Sequence, residues 1–176
     1  MTRPGLVTTV DDLTFRRPIE ADHGRIVEVI DEWWGGRKLR HLLPRLWLRH
    51  FTGTSWIAED TDGRLRGFLV AFVSPDDPSV GYIHLVASDP NCRRIGIGRS
   101  LYQHSFADMT ERGAQSVTAV TWPGNRISVA FHRAMGFEPD EGPATRPLYG
   151  TPAYTDYDGL SEDRVVFVRA LTDPER

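Results

Sequence analysis

The stretch Tyr82–Phe106, YIHLVASDPNCRRIGIGRSLYQHSF, decides how the rest of the chain is read. It has the pattern of a buried strand, a turn, and a glycine-punctuated entry into an amphipathic helix. Arg93, Arg94, Gly96, Gly98 and Arg99 stand where that helix begins. Backbone donors, the positive end of the helix dipole and guanidinium charge converge there, so the turn reads as an anion cradle suited to a phosphate. Glycines at 96 and 98 permit dihedrals closed to other residues and bring peptide N–H groups close to a ligand. A dinucleotide fingerprint would need a third glycine where Leu101 stands, and a P-loop would need Gly-Lys followed by Ser or Thr. Neither is present. Taken alone, the glycine pair fits a plain tight turn as well as it fits a cradle.

Working outward, Leu13–Pro18 alternates apolar and polar residues as a half-buried strand does, and Pro18 stops it. Ile26, Val27, Ile30, Trp33 and Trp34 then fall on one helical face that ends at Gly35 and Gly36. Leu42, Leu43, Leu46, Trp47 and Phe51 predict a second helix, closed by Gly53. SWIAED and LRGFLVAFVS flank TDGR, where Asp62 and Gly63 supply the residues of a tight hairpin turn. The strand VGYIHLVAS and the cradle follow, and the cradle helix runs to Gly113.

Next, QSVTAVTW is β-rich from Gln115 to Trp122, and PGN breaks it. Asn125 caps a helix whose apolar stripe is Ile127, Ala130, Phe131 and Ala134, with Gly136 as its stop. Pro139–Asp163 reads as a long acidic, turn-rich stretch, and RVVFVRAL as a closing strand. The expectation is a single α/β domain over residues 12–176 after a loose leader of residues 1–11, with a mixed, mostly antiparallel sheet of six or seven strands and about four helices. The strand–helix–strand unit around Gly98 makes the middle crossover parallel.

Composition bounds the function. The 176 residues are 40% apolar and 26% charged, enough for one substantial core. A formal net charge of -3 argues against a protein devoted to nucleic acid. Cys92 is the only cysteine and cannot form an internal disulfide, which suits a reducing compartment. No run approaches the roughly 18 apolar residues of a membrane helix. A soluble, cytoplasmic protein without a metal site or membrane partner is expected.

The run Arg93-Arg94-Ile95-Gly96-Ile97-Gly98 resembles the signature of the GNAT superfamily of N-acetyltransferases: glutamine or arginine, two residues, glycine, one residue, then glycine or alanine. IHLVASDP is similar to the strand that leads into that signature, and Asn125, Ser128, Phe131, Gly136 and Phe137 resemble the family's second cofactor-side segment. In element order the resemblance extends from about Leu13 to Leu171.

It implies acetyl-CoA, with the pyrophosphate on backbone amides from Arg94 through Arg99, just after Arg93. It also implies a sheet splayed between its fourth and fifth strands, where the pantetheine arm bonds the backbone around Val86, Ala87 and Ser88. Asn125 and Phe131 join the cofactor side, and dimers are common in the family, which allows a homodimer.

The resemblance further implies direct transfer to an amine in a ternary complex, with departures that matter. Where many relatives carry a glutamate base this chain has His84, and where many carry a tyrosine facing the leaving thiolate it has His132, with Ser128 nearby. A lysine-like amine must shed a proton before attack, at a cost of about 4.6 kcal/mol at pH 7. Histidine titrates near neutrality, so His84 is the candidate general base, directly or through a water.

The family's acceptor walls would here be Trp33, Trp34 and Arg37 with His41 on one side, and Tyr149, Tyr154 and Tyr157 with Asp156 and Asp158 on the other. Aromatic faces and carboxylates suit a small cationic amine, while Arg37 would equally hold a carboxylate. Peptide or protein amines, and an acyl-CoA-binding regulatory module without turnover, remain the alternative readings.

Overall fold

The computed structural model describes residue 7 and residues 9–171. Most of the expected leader, residues 1–6 and 8, lies outside the described residues, as do residues 172–176; Val10–Asp12 forms a 3-10 turn. In chain order the strands are β1 Thr14–Arg16, β2 Trp56–Glu59, β3 Leu65–Val73, β4 Val80–Ser88, β5 Ser116–Thr121, β6 Glu138–Pro139, β7 Thr145–Leu148, β8 Thr151–Tyr154 and β9 Val165–Ala170. The α-helices are α1 Asp22–Trp33, α2 Leu46–His50, α3 Ile97–Glu111 and α4 Arg126–Ala134.

Seven strands form one sheet in the order β1-β2-β3-β4-β5-β9-β6, and β7 with β8 forms a separate two-stranded sheet. β1 with β2, β2 with β3, β5 with β9 and β6 with β9 run antiparallel, whereas β4 and β5 run parallel. The fold is the expected mixed, mostly antiparallel α/β domain with a parallel crossover through α3. Among the described residues no helix is long and apolar enough to cross a membrane.

The chain divides into two compact units. One comprises residues up to Phe72 together with His84–Glu111, and the other Val73–Ile83 together with residues from Arg112 onward. In the first unit, Ile26, Ile30 and Trp33 of α1 join Leu43 and Leu48 in burying Ile57, Phe68, Val70 and Leu85. Alternation along β3 turns Gly67 to the other face, where Ile97 and Leu101 of α3 approach. In the second unit, β5 and β9 pair from Ser116–Ala170 to Thr121–Val165, and Val117, Ala119, Val165 and Phe167 are buried.

Four local expectations change. The second helix is not continuous: a 3-10 turn, Arg40–Leu42, is separated from the short α2, because Pro44 has no N–H to continue the helical ladder. The turn between β2 and β3 is longer than a two-residue hairpin. The Asp60 carboxylate accepts the N–H groups of Asp62 and Arg64, each at 2.9 Å, while Gly63 sits at φ 74°. The stretch after Pro139 contains the β7–β8 hairpin rather than turns alone. Finally, α4 buries Val129 and His132 and leaves Ile127 79% exposed, so its inward face is not the predicted apolar stripe.

An ion-pair network ties β1 to α1 and β2. Arg16 reaches Asp22 at 2.8 Å and Glu59 at 2.8 Å, and Arg25 reaches Glu59 at 2.5 Å. Burial pushes the Asp22 carboxyl up, but hydrogen bonds from Arg16 and the Ile19 N–H outweigh it, and the net pKa falls. The Arg16 hydrogen bond is the main cause of the lowered Glu59 pKa, against desolvation.

Carboxylates with depressed folded pKa values stabilise the fold above their unfolded values, about pH 4, and that stability is lost as pH falls through the folded values. Arg16→Met should cost roughly 1–3 kcal/mol at pH 7. The gap to wild type should narrow as pH drops below about 4, where both carboxylates protonate; thermal melts between pH 7 and pH 3 check it.

Candidate active site

The cradle is built at the end of β4. Asp89, which is buried, accepts the Asn91 N–H at 2.8 Å and Nη1 of Arg66 at 2.5 Å, and its own N–H donates to the Arg66 carbonyl at 2.9 Å. Arg66 also donates to Asp60 at 2.9 Å through Nε, so one guanidinium joins the β2–β3 turn to the start of the cradle loop. From Asp89 the chain makes a 3-10 turn, Pro90–Cys92, with Cys92 buried. Arg94 at φ 68° and Gly96 at φ 98° then adopt the left-handed region, from which concave nests of N–H groups are built.

α3 begins at Ile97, whose side chain is buried, and the first intrahelical bond of this turn runs from the Ser100 N–H to the Gly96 carbonyl at 3.0 Å. By helix geometry the N–H groups of the first turn have no intrahelical acceptor and carry partial positive charge. Arg93, Arg94 and Arg99 are exposed around it, Ile95 and Gly98 are half-buried, and Val86, Ala87 and Ser88 lead in as the half-buried end of β4. The predicted cradle residues therefore form one continuous strand–turn–helix feature.

His84 lies in the same unit, on β4. Its Nε2 stands 2.7 Å from the Leu42 carbonyl, and its ring stacks on Trp47 with centroids 4.1 Å apart and 16° between planes. Burial lowers its pKa, with the Leu42 hydrogen bond pulling the other way, so the ring is neutral at pH 7. Trp33 is committed to the core, 9% exposed and stacked on Phe68 at 6.0 Å, and Trp34 meets the same ring at 5.8 Å. Trp33 also lines an open cavity of about 420 Å³ with Arg25, Val29, Arg66 and Asp89. Arg37 and His41 are exposed.

In the second unit Asn125 caps α4 by accepting the Ser128 N–H at 3.2 Å. His132 is buried, lies parallel to Phe167 at 4.8 Å, and donates from Nδ1 to the Ser128 carbonyl at 2.8 Å, with the Ser128 hydroxyl 3.3 Å from the same nitrogen. Burial lowers its pKa too. Phe131 is half-buried on the same helix.

The tyrosines do not gather at one point. Tyr149 is exposed against Trp122 at 5.7 Å, whereas Tyr154 donates its phenol to Asp140 and stands 5.9 Å from Tyr157. Tyr82, which the sequence reading did not single out, joins this second group: burial, then the nearby Tyr157 and Asp158, push its phenol up to about 12.

The acetyltransferase (GNAT) family model matches residues 22–137, well over half of the chain and spanning both β4 and α4. The chain belongs to the GNAT acetyltransferase family. It is 29% identical over 111 residues to an L-2,4-diaminobutyric acid acetyltransferase of Nocardia farcinica, covering 63% of this chain and 57% of that protein. It is 28% identical over 117 residues to a mycothiol acetyltransferase of Cellulomonas flavigena, covering 58% of this chain and 34% of that one.

The chain thus spans about half the length, or less, of these curated relatives. Among solved structures, the diaminobutyrate acetyltransferase of Paenibacillus lautus, in complex with L-2,4-diaminobutyric acid and coenzyme A, superposes with a TM-score of 0.68. That match covers 93% of this chain and 98% of the other at 22% identity, a likeness of fold.

Gly67 is a supporting residue that the sequence reading missed. A Cβ there would meet Ile97 Cγ2 at 2.6 Å, Leu101 Cδ1 at 3.2 Å and the Ala87 carbonyl at 3.3 Å, so its bareness seats the first turn of α3 on β3. A glycine inside an otherwise strand-like run was the available signal, since it marks a close approach. Gly67→Ala should cost about 1–3 kcal/mol through overpacking and displace the first turn of α3. Thermal melts and a titration with coenzyme A, each against wild type, should both register the change.

Proposed function

We propose that the protein is an acetyl-CoA-dependent N-acetyltransferase acting on a small primary amine or amino-acid-like acceptor by direct attack in a ternary complex. The observation that carries this reading is a neutral, stacked histidine, His84, on the strand that runs into the glycine cradle. Acetyl-CoA supplies the acyl group as an activated thioester. The residues present fit it: the left-handed positions Arg94 and Gly96, the first turn of α3 from Ile97 to Arg99, and the exposed Arg93, Arg94 and Arg99 offer donors and positive charge to a pyrophosphate. β4 continues beyond its ladder with β5, which covers Val80–Ile83 and Ser116–Ala119, and so leaves Val86, Ala87 and Ser88 as the assigned backbone partners of the pantetheine arm. In the second unit, Asn125 and Phe131 of α4 are the residues assigned to the cofactor.

His84 is assigned the proton of the acceptor ammonium, because a neutral imidazole with a lowered pKa is ready to accept at pH 7. A backbone N–H near Val86 is assigned to the oxygen that gains negative charge. On α4, His132 is held neutral behind Ser128, which makes the Ser128 hydroxyl the polar group assigned to the leaving side. Support for an amino-acid-like acceptor comes from the diaminobutyric acid relative. In the second unit Tyr154, Tyr157, Asp140 and Asp158 offer π faces and carboxylates of the kind that suits an ammonium group.

A panel of diamines, amino acids and short peptides with acetyl-CoA, scored for release of free thiol, should give turnover strongest on an amino-acid-like amine. Stabilisation by acetyl-CoA without thiol release on any amine would point to a binding module, and no stabilisation at all would remove the reading. His84→Ala should lower kcat by about 10²–10⁴-fold. In wild type, kcat should decline as pH falls below about 6.5 through the depressed His84 pKa, a limb that the variant lacks.

A further inference from the structure

The interrupted segment between α1 and β2 faces His84, and its geometry fixes which imidazole nitrogen is the basic one. A carbonyl oxygen can only accept, so at 2.7 Å from the Leu42 oxygen Nε2 carries the hydrogen and Nδ1 of the neutral ring holds the lone pair. The Leu42 carbonyl is available because the helix is broken. In a continuous helix through residues 42–51 it would accept the N–H of Leu46. Here Pro44 intervenes, the Trp47 N–H donates to the Pro44 carbonyl at 3.1 Å, and the Leu48 N–H donates to the Arg45 carbonyl at 3.1 Å.

Trp47 supplies the second restraint. Its indole covers the imidazole at 4.1 Å and is itself held by Phe51 at 4.9 Å and Phe72 at 5.8 Å. Two restraints act on one ring: a hydrogen bond along its edge and a flat apolar wall against its face. Arg40, His41, Arg45, Arg49 and His50 on the same segment are exposed, and no charged side chain contributes to the His84 shift.

We propose that Trp47 and the Leu42 carbonyl position His84, fixing its Nε2–H tautomer and presenting Nδ1 as the proton-accepting atom. Trp47 is a positioning residue, acting through His84 rather than on the acceptor. The inference rests on the reading of His84 as the base, but its structural half stands apart from activity.

Nitrogen-15 NMR of the imidazoles at pH 7.5, with His84 assigned by comparison with His84→Ala, reads the tautomer directly. The expected result in wild type is a neutral ring protonated at Nε2; a ring protonated at Nδ1, or a charged ring, overturns the proposal whatever the activity. Trp47→Leu stays apolar but is smaller and loses the stacked face, and should give a mixed tautomer, a drop in kcat of about tenfold or more, and an acid limb moved up toward about 6.5. Trp47→Phe should restore all three toward wild type. Should Trp47→Leu leave tautomer, kcat and pH limb unchanged, Trp47 positions nothing and the proposal falls.

Pro44→Ala, at an exposed position, tests the carbonyl separately, because it permits the Leu46 N–H to compete for Leu42. Loss of the Nε2–H signature is expected there, and its retention with unchanged kcat counts against the carbonyl as a restraint. If the tautomer is as proposed but His84→Ala keeps the wild-type kcat and pH profile, it is the general-base reading that fails.

Discussion

The buried carboxylate of Asp89 is the point on which the cradle depends. It sits where β4 ends, accepting the N–H of Asn91 two residues ahead and the guanidinium of Arg66 from β3. A buried charge of this kind is stable only when paired and hydrogen-bonded, and Arg66, shared with Asp60, meets that condition. The strand therefore stops at a defined residue, and the left-handed turns at Arg94 and Gly96 start from a fixed origin. Gly67 acts on the same feature from below by letting Ile97 approach β3. The glycines give the loop its permitted dihedrals, and the Asp89–Arg66 pair and the bare Gly67 decide where those dihedrals are used.

A second constraint comes from a residue that forbids structure. Pro44 withdraws one N–H from the segment after α1, and the resulting break leaves the Leu42 carbonyl to meet His84 and turns Trp47 onto the imidazole. Because desolvation disfavours charge on the ring and outweighs the Leu42 hydrogen bond, the histidine pKa lies below its ordinary value and the ring is neutral at pH 7. His132 shows the same chemistry with a different outcome. It is buried and, like His84, neutral and stacked, but its Nδ1 hydrogen is used inside α4, on the Ser128 carbonyl, and its ring faces Phe167. The two histidines, read from sequence as candidate base and as a group beside the leaving thiolate, thus differ in which nitrogen carries the hydrogen.

Much of the candidate site was legible because its signals are local. Glycines at fixed offsets before an amphipathic run, an arginine-rich entry, and Asn125 ahead of an apolar stretch each report on backbone within a few residues, and each was found where the spacing put it. Less legible were features set by residues far apart in sequence. Periodicity put Trp33 on the apolar face of α1 but could not name Phe68 as the ring it stacks on, since a period marks a buried face without saying what it is buried against. The inward face of α4 was misjudged for a related reason: apolar spacing favoured Ile127, but stacking on Phe167 and capping by Asn125 turn His132 and Val129 inward.

The sequence by itself determined the alternation of elements, the parallel crossover, the position of the cradle and the family, because all of these follow from periodicity, turn chemistry and short motifs. Tertiary structure alone decided the rest. It paired Asp89 with Arg66 across 23 residues, set the Leu42 carbonyl on a histidine 42 residues away, and grouped Tyr82 with Tyr157 and Asp158. Those contacts depend on which strands pair and on which residue breaks a helix, and neither a hydrogen-bond direction nor a tautomer is written in any local pattern of residue types.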